Sequence, residues 1–445
     1  MKKNLQITDY GMDGVGIAHD GNKTLFLPNT LLGELVSVDK QNNVDVLQQS
    51  PHRTTPTCPY YFECGGCNLG CMDEVEQQNY KTKYVQNCFA KYKIDLPQKL
   101  DYLSNYTFNY RNKISFGVRC QNGKNIIGLF QPKTHTIVQI EECQIVDKRN
   151  KQLLKILRDY LSLDGVQAYD EQTKQGNLRN IVARFCNGGV LVCIVGINVL
   201  PPSLDVLYNN LKNAFGVVGL SYCQNKNMRT ILTTDIKHLY GEKEITTNKA
   251  SFNVPITIGS FVQVDDDISE KLYEYVTQQC DKNNIVFDLY SGAGLMTAIL
   301  SQKSKLIIGV ESNYLAVQAS CKLQQNNNVK NVKNIWGKVE DVLPSVLNND
   351  IRGNKFFYNK KMLELNNNLM CVLDPPRKGC DNKVLQCILE QPINKIVYIS
   401  CNPLTLARDV KILSQKYLIK CLKLFDMFQQ TSHIESVVVL EEKTN

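Results

Sequence analysis

The run Ile285-Val-Phe-Asp288-Leu-Tyr290-Ser-Gly292-Ala-Gly294-Leu-Met-Thr-Ala-Ile-Leu300-Ser-Gln-Lys-Ser-Lys-Leu306-Ile-Ile-Gly-Val310-Glu311 reads as strand, glycine turn, helix and second strand. An apolar stretch ends at Tyr290, and two glycines then let the backbone approach a ligand closely. Outward from this run, a helix over 268–280 precedes it. A helix over 316–326 and the strands Met370–Asp374 and Lys395–Cys401 follow. Strands alternating with helices predict an α/β fold with a parallel, doubly wound, Rossmann-like sheet. Ligands of such sheets lie at the carboxyl ends of the strands, where the glycine turn falls. Glu311 closes the second strand and is placed to bind ribose hydroxyls. A nucleotide-type ligand is predicted. The turn lacks the last glycine of G-x-G-x-x-G, so a dinucleotide and S-adenosylmethionine both stay open.

The rest of the 445-residue chain is organised differently. Residues 1–52 read as short strands broken by turns, which predicts a small OB-type β-barrel, a common oligonucleotide platform. Residues 53–258 read as a β-rich central domain with a helix over 72–92 and one more over 151–161. Residues 259–445 form the α/β domain. Asn327–Tyr358 is rich in Asn and Lys, read either as a flexible insert or as drift in composition. With 43 % apolar and 21 % charged residues the chain is not disordered. No apolar run reaches the length of a membrane span and the start carries no export signal, so a cytoplasmic protein with no membrane partner is expected.

The net charge of +8 is unevenly spread, with 29 basic and 23 acidic residues in 1–250 against 22 and 20 in 251–445. A polyanion partner fits this excess, as does ordinary solubility. A cytoplasm keeps most of the 17 cysteines reduced, and Cys186, Cys193 and Cys321 are expected as small core residues.

Three stretches carry chemistry. Asp374-Pro-Pro-Arg377-Lys-Gly379 fixes a carboxylate at a strand end, because two prolines stiffen the loop. Amino-group methyltransferases place an aromatic where Arg377 stands, which argues against amine methylation. Ser400-Cys401-Asn402-Pro403-Leu-Thr405 puts a thiol at the ligand end of the sheet, beside polar groups, as a nucleophile requires. His433-Ile-Glu435 opens an apolar strand, so Glu435 is either solvent-facing or a base in the site. Separately, Cys58-x5-Cys64-x2-Cys67, with Cys143 as a distant fourth and Cys71 as its competitor, has the spacing of a metal centre. Four thiolates hold zinc or an iron–sulfur cluster. A radical methylase is disfavoured, because the spacing is not C-x3-C-x2-C.

In combination these residues resemble the RNA 5-methyluridine methyltransferases, in the branch that carries an iron–sulfur cluster and acts on 23S ribosomal RNA. The resemblance runs over nearly the whole chain: Cys58-x5-Cys-Gly-Gly-Cys67, Phe261-Val-Gln263-Val, Asp288-Leu-Tyr290-Ser-Gly-Ala-Gly294, Asp374-Pro-Pro-Arg, Ser-Cys401-Asn-Pro and His433-x-Glu435 follow in family order. It implies a TRAM domain at the amino terminus and a [4Fe–4S] cluster on Cys58, Cys64, Cys67 and Cys143. It implies S-adenosylmethionine on Gln263, Tyr290, Glu311 and Asp374, Cys401 as nucleophile and Glu435 as base. Ser291, Asp265, Gly70-Cys71 and Gln429 depart from the family's usual residues.

The implied chemistry explains the residue types. Uracil C5 is a poor nucleophile until a thiolate adds at C6, and a base must afterwards remove the C5 proton. The target base must also be swung out of its RNA, against an apolar wall. Phe261 is the candidate wall, with core packing as its alternative. Arg111, Lys113, Arg119 and Arg179 are expected either on the RNA backbone or as solvated surface charges. The expected partner is 23S ribosomal RNA, or the T-loop of tRNA, met by a monomer. A non-catalytic RNA-binding protein is the reading furthest from these motifs.

Overall fold

In the computed structural model, which describes residues 2–105, 108–121, 123–347, 368–391 and 393–443, strand Ile285–Leu289 lies inside an eight-stranded sheet. Leu306–Glu311 and Val332–Trp336 extend the sheet to one side, and Leu369–Leu373 and Ile393–Ser400 to the other, all parallel. Strand order therefore reverses beside Ile285–Leu289, which creates a crevice at its carboxyl end. Alternate side chains face opposite ways. Phe287, Ile308 and Cys371 enter one core, while Val286, Ile307 and Met370 enter the other. Helices cover both faces, as the alternating sequence predicts.

Beyond Ile393–Ser400 the sheet stops being parallel. Glu435–Glu442 inserts antiparallel between it and Tyr417–Phe425. The edge is finished by Asp101–Leu103, which arrives from far upstream. Helix Glu74–Lys91, capped by the Asp73 carboxylate on the Glu76 amide at 2.8 Å, packs Val85 and Phe89 into the same core. The α/β unit is thus completed by residues from the middle of the chain.

The central region forms a seven-stranded sheet in the order Ile236–Gly241, Val217–Gln224, Gly189–Gly196, Leu178–Cys186, Lys113–Gln121, Lys124–Phe130, Ile137–Gln139. Leu178–Cys186 and Gly189–Gly196 are buried at every residue. Ile181, Ala183 and Phe185 pack beneath helices, whereas Val182, Cys193 and Val195 share a core with Ile268, Leu272 and Met370 of the α/β unit. This two-sided burial explains why these strands read as continuous apolar runs.

Among the described residues four helices were not foreseen, including Asn382–Glu390 and Pro403–Leu413 of the α/β unit. Leu204–Phe215 crosses between the parallel strands Gly189–Gly196 and Val217–Gln224, burying Leu204, Leu207 and Leu211. Val339–Leu347 occupies part of the Asn- and Lys-rich stretch, behind strand Val332–Trp336; 348–358 of that stretch lie outside the described residues. Cys186 and Cys193 are buried as expected, but Cys321 is only half-buried on helix Tyr314–Asn326.

The first fifty residues form five antiparallel strands in the order Lys23–Leu27, Gly16–Asp20, Lys3–Tyr10, Leu35–Val38, Val44–Gln48. Their inner face is Ile7, Ala18, Leu25, Leu27, Val36 and Val38. Among the described residues no helix is long and apolar enough to cross a membrane.

Candidate functional site

At the reversal of strand order the chain turns on Tyr290, a non-glycine residue held at φ 68°. Such strain is characteristic of ligand sites. Gly294 follows at φ +79°, and a Cβ there would lie 1.9 Å from Ser320 Oγ, so only glycine fits. Glu311 braces the turn: its carboxylate accepts the Gly292 amide at 3.0 Å and the Asn313 amide at 2.7 Å. It also accepts the Ser312 hydroxyl at 3.2 Å, and since a carboxylate has room for roughly four such bonds, capacity is left for a ligand hydroxyl. Asp288 is buried beneath the turn, takes the Thr297 hydroxyl, and is pushed up to about 6 by that burial. Tyr290 is half-buried and packs toward Cys380 and Asp381, linking the glycine turn to the loop after Asp374.

The second half of the crevice is built by strand register. Ser400 pairs with Ser436 at the end of the ladder, so Cys401, one residue past its strand, and Glu435, the first residue of the antiparallel neighbour, follow at the next position. Opposed side chains at such positions have Cβ atoms roughly 4.5–5.5 Å apart. Asp374 follows Leu373 on the parallel neighbour of Ile393–Ser400, and its amide bonds to the Leu289 carbonyl at 3.3 Å. Three acidic groups and one cation therefore meet. Burial, then the Glu435 charge, pushes the Cys401 thiol up to about 11, and Arg377 pulls against both. Glu435 is 5 % exposed, and burial and Asp374 hold its carboxyl well above the usual range, with Arg377 again opposing. Asp374 is open to the crevice yet enclosed by protein; that enclosure and Asp288 push it up to about 7.

Local sequence explains why the thiol sits where it does. Asn402 caps helix Pro403–Leu413 through the Leu404 amide, and Pro403 occupies the first helical position, where no amide is missed. The same helix ties down the Asp374 loop. Asn402 Nδ2 and Thr405 Oγ1 donate to the Arg377 carbonyl at 2.9 and 3.2 Å, and Arg408 donates to the Lys378 carbonyl at 3.0 Å. Asp409 is buried and accepts from Tyr398 Oη at 2.6 Å and the Cys380 amide at 2.9 Å. Thr405, Arg408 and Asp409 thus hold a loop rather than entering the crevice.

Cys58, Cys64, Cys67 and Cys143 line one cavity of about 580 Å³, which Arg377 and His433 also line from the catalytic side. Burial pushes the Cys64 and Cys67 thiols up and Cys143 to about 11, and neighbouring thiols add to it. Cys71, the competing ligand, is buried elsewhere, against Tyr61 and Arg53. Among the described residues, no three His, Cys, Asp or Glu side chains are close enough to grip a single metal ion.

Several expectations change. Arg119 and Arg179 are buried, so they are neither RNA contacts nor solvated charges. Arg119 donates to the Val118 and Arg179 carbonyls and to Glu171, and Arg179 to the carbonyls of Asn225, Asn227 and Thr230. Lys113 is half-buried and its ammonium is pushed down to about 8 by burial. Arg111 does reach the cysteine cavity. Phe261 is 76 % exposed and belongs to no core, which removes its packing alternative. Gln263 is buried, with its carbonyl held by Asn112 Nδ2 at 2.9 Å. Asp265, unusual for the family pattern, caps helix Asp266–Thr277 through the Ile268 amide. The solvent-facing alternative for Glu435 is excluded by its burial. Sequence reasoning missed Tyr273, buried on that helix and facing Asp374 and Glu435. It also gave Arg377 no role, although the residue stands in a motif.

The family model for tRNA (Uracil-5-)-methyltransferase matches residues 208–443, just over half of the chain. An uncharacterized RNA methyltransferase of Clostridium tetani is 32 % identical over 98 % of this chain and 95 % of its own. Another, from Listeria innocua, is 31 % identical over 100 % and 99 %. Among solved structures, the Pyrococcus abyssi tRNA (uracil-54, C5)-methyltransferase, in complex with S-adenosyl-L-homocysteine, superposes with a TM-score of 0.78. At 22 % identity over 98 % of this chain and 99 % of that one, it shows a shared fold from end to end. The match to the family model, reinforced by relatives of full length, means that this chain belongs to the tRNA (uracil-5-)-methyltransferase family.

Proposed function

We propose that the protein methylates C5 of a uridine in structured RNA, taking the methyl group from S-adenosylmethionine through a covalent Cys401–C6 adduct. The observation that carries this reading is the register that sets Cys401 beside Glu435, with Asp374 and Arg377 at the same crevice. S-adenosylmethionine, when bound, supplies a methyl group on a positively charged sulfur. Glu311 is suited to its ribose, with the glycine turn, Tyr290, Gln263 and Asp374 completing the site.

Cys401 bonds to C6 and moves electron density to C5, which then accepts the methyl group. Glu435 takes the C5 proton, the C5–H electron pair restores the ring double bond, and the C6–sulfur bond breaks to return the thiolate. Arg377 favours the thiolate, since it opposes the nearby carboxylates. Phe261, largely exposed, is the proposed wall for the extruded base.

Cys58, Cys64, Cys67 and Cys143 fit a [4Fe–4S] cluster, because all four thiols face one cavity. The cluster has no redox step in this reaction and serves to hold the cysteine loop. The amino-terminal strands serve as a TRAM-type platform for RNA, in a cytoplasmic protein acting as a monomer.

23S ribosomal RNA is the first substrate in this reading and the tRNA T-loop the second. The archaeal tRNA enzyme spans 98 % of this chain, so the amino-terminal platform alone does not separate the two. Incubating the protein with unmodified 23S ribosomal RNA and tRNA, then digesting each and measuring 5-methyluridine by mass spectrometry, decides. Methylation confined to one 23S uridine is expected; methylation of tRNA alone would favour the second substrate, and none on either would overturn the reading.

A further inference from the structure

The segment Asp426–Ser432, which delivers Glu435 to the crevice, is neither helix nor strand, yet it is tied at many points to distant parts of the chain. Asp426 is fully buried and accepts from Lys81 Nζ at 2.7 Å and Tyr102 Oη at 2.6 Å; Lys81 is itself fully buried. Lys81 also donates to the Phe428 carbonyl at 3.2 Å, and Tyr110 Oη to the Gln429 carbonyl at 2.9 Å. The loop that carries Cys64 and Cys67 holds the far end. The Asn68 and Leu69 amides both donate to the Gln430 carbonyl at 3.1 Å. The Asn68 side chain grips Ser432 twice, accepting from its amide at 2.9 Å and donating to its hydroxyl at 3.1 Å. Three residues further on stands Glu435.

We propose that Asn68 and the buried Lys81–Asp426 pair are positioning residues for Glu435, so that the cysteine loop sets the geometry of proton removal. The proposal rests on the reading of Glu435 as the base. A base must come within about 2.6–3.2 Å of the proton it takes, and an error near 1 Å costs on the order of 100-fold. Glu435 opens a strand and pairs with Phe425, but the irregular segment before it has no ladder of its own; the bonds to Asn68 and Lys81 fix that side. Bond formation between Cys401 and C6, and methyl transfer, both precede proton removal. Loosening the segment therefore slows only the last step and leaves RNA bonded through C6 to Cys401, already methylated at C5.

The test uses the full-length protein, unsubstituted uridine RNA of whichever class it modifies, and S-adenosylmethionine. Asn68→Ala is expected to lower turnover about tenfold or more with KM for RNA unchanged. A covalent protein–RNA band, absent from the unaltered protein, should accumulate on a denaturing gel. Ser432→Ala, which leaves the cysteine loop's own sequence intact, removes the side-chain contact from the other side and is the deciding variant if Asn68→Ala folds poorly. The double variant should be no slower than the worse single one. Glu435→Gln is the reference. If Glu435→Gln traps the band while Ser432→Ala and Asn68→Ala lose turnover without it, or keep full turnover, the positioning role is wrong and the base assignment stands. If Glu435→Gln itself traps nothing, the base assignment fails and the proposal with it.

Discussion

Cys401 is poorly disposed to react at rest. Its thiol is half-buried beside Glu435 and Asp374, and these surroundings push it up to about 11, against Arg377. A thiol raised in this way is mostly protonated at neutral pH and becomes nucleophilic only as pH climbs. In the free protein, alkylation of Cys401 by iodoacetamide, followed by peptide mass spectrometry, is expected to accelerate from pH 7 upward without levelling before about pH 10. Arg377→Gln should slow it several-fold at pH 8 and move the profile further up. A plateau already reached at pH 8, or no response to Arg377→Gln, would contradict this balance of burial and charge around the thiol. Motif residues such as Cys401, Asp374 and Glu435 were legible in the sequence, because a thiol or carboxylate at a strand end is a local feature. The fates of Arg119 and Arg179 were not. Each is satisfied by carbonyls 46 to 60 positions away or in a neighbouring strand, and no local pattern distinguishes that from a surface cation.

At the scale of elements, the strand–turn–helix–strand of 285–311 formed as read, because its glycines and its two apolar runs agree with one another. Gly294 is the most exacting position: left-handed backbone and the Ser320 contact both exclude a side chain. Gly294→Ala is expected to cost about 1–3 kcal/mol of stability, from backbone strain and the forced shift of Ser320. It should also weaken S-adenosylmethionine binding at least tenfold by calorimetry, whereas Gly188→Ala, at a glycine of positive φ with no neighbour within 4 Å, should leave binding unchanged. Equal effects at both positions would mean that the turn does not touch the ligand. Helix Leu204–Phe215 was missed despite a readable signal. Pro202 and Ser203 precede it, Leu204, Leu207 and Leu211 recur at helical spacing, and Gly216 ends it. The surrounding apolar strands drew the whole region toward a β reading. Segment Asp426–Ser432 had no such signal, since its conformation is dictated by partners more than 300 residues away in sequence.

Across the whole molecule, the large sheets are less separate than the composition of the chain suggests. The seven-stranded sheet and the α/β unit share a core, Asp101–Leu103 completes the large sheet, and helix Glu74–Lys91 packs into it. Nothing local announces this, because a strand buried on its second face by a neighbouring unit looks like any other apolar run. The consequence is functional. The segment that leads into Glu435 is held by contacts from the amino-terminal third of the chain, and Ser432 Oγ bonds to Asp13 at 3.0 Å. The catalytic half, as matched by the family model, therefore depends on the rest for its geometry. The most direct measurement is made on the intact protein with RNA containing 5-fluorouridine and S-adenosylmethionine. Fluorine at C5 cannot leave as a proton does, so covalent catalysis by Cys401 predicts a stable adduct whose RNA is attached to the peptide containing Cys401, and no adduct from Cys401→Ala. An adduct that persists in Cys401→Ala, or methylated uridine made by that variant, would contradict it.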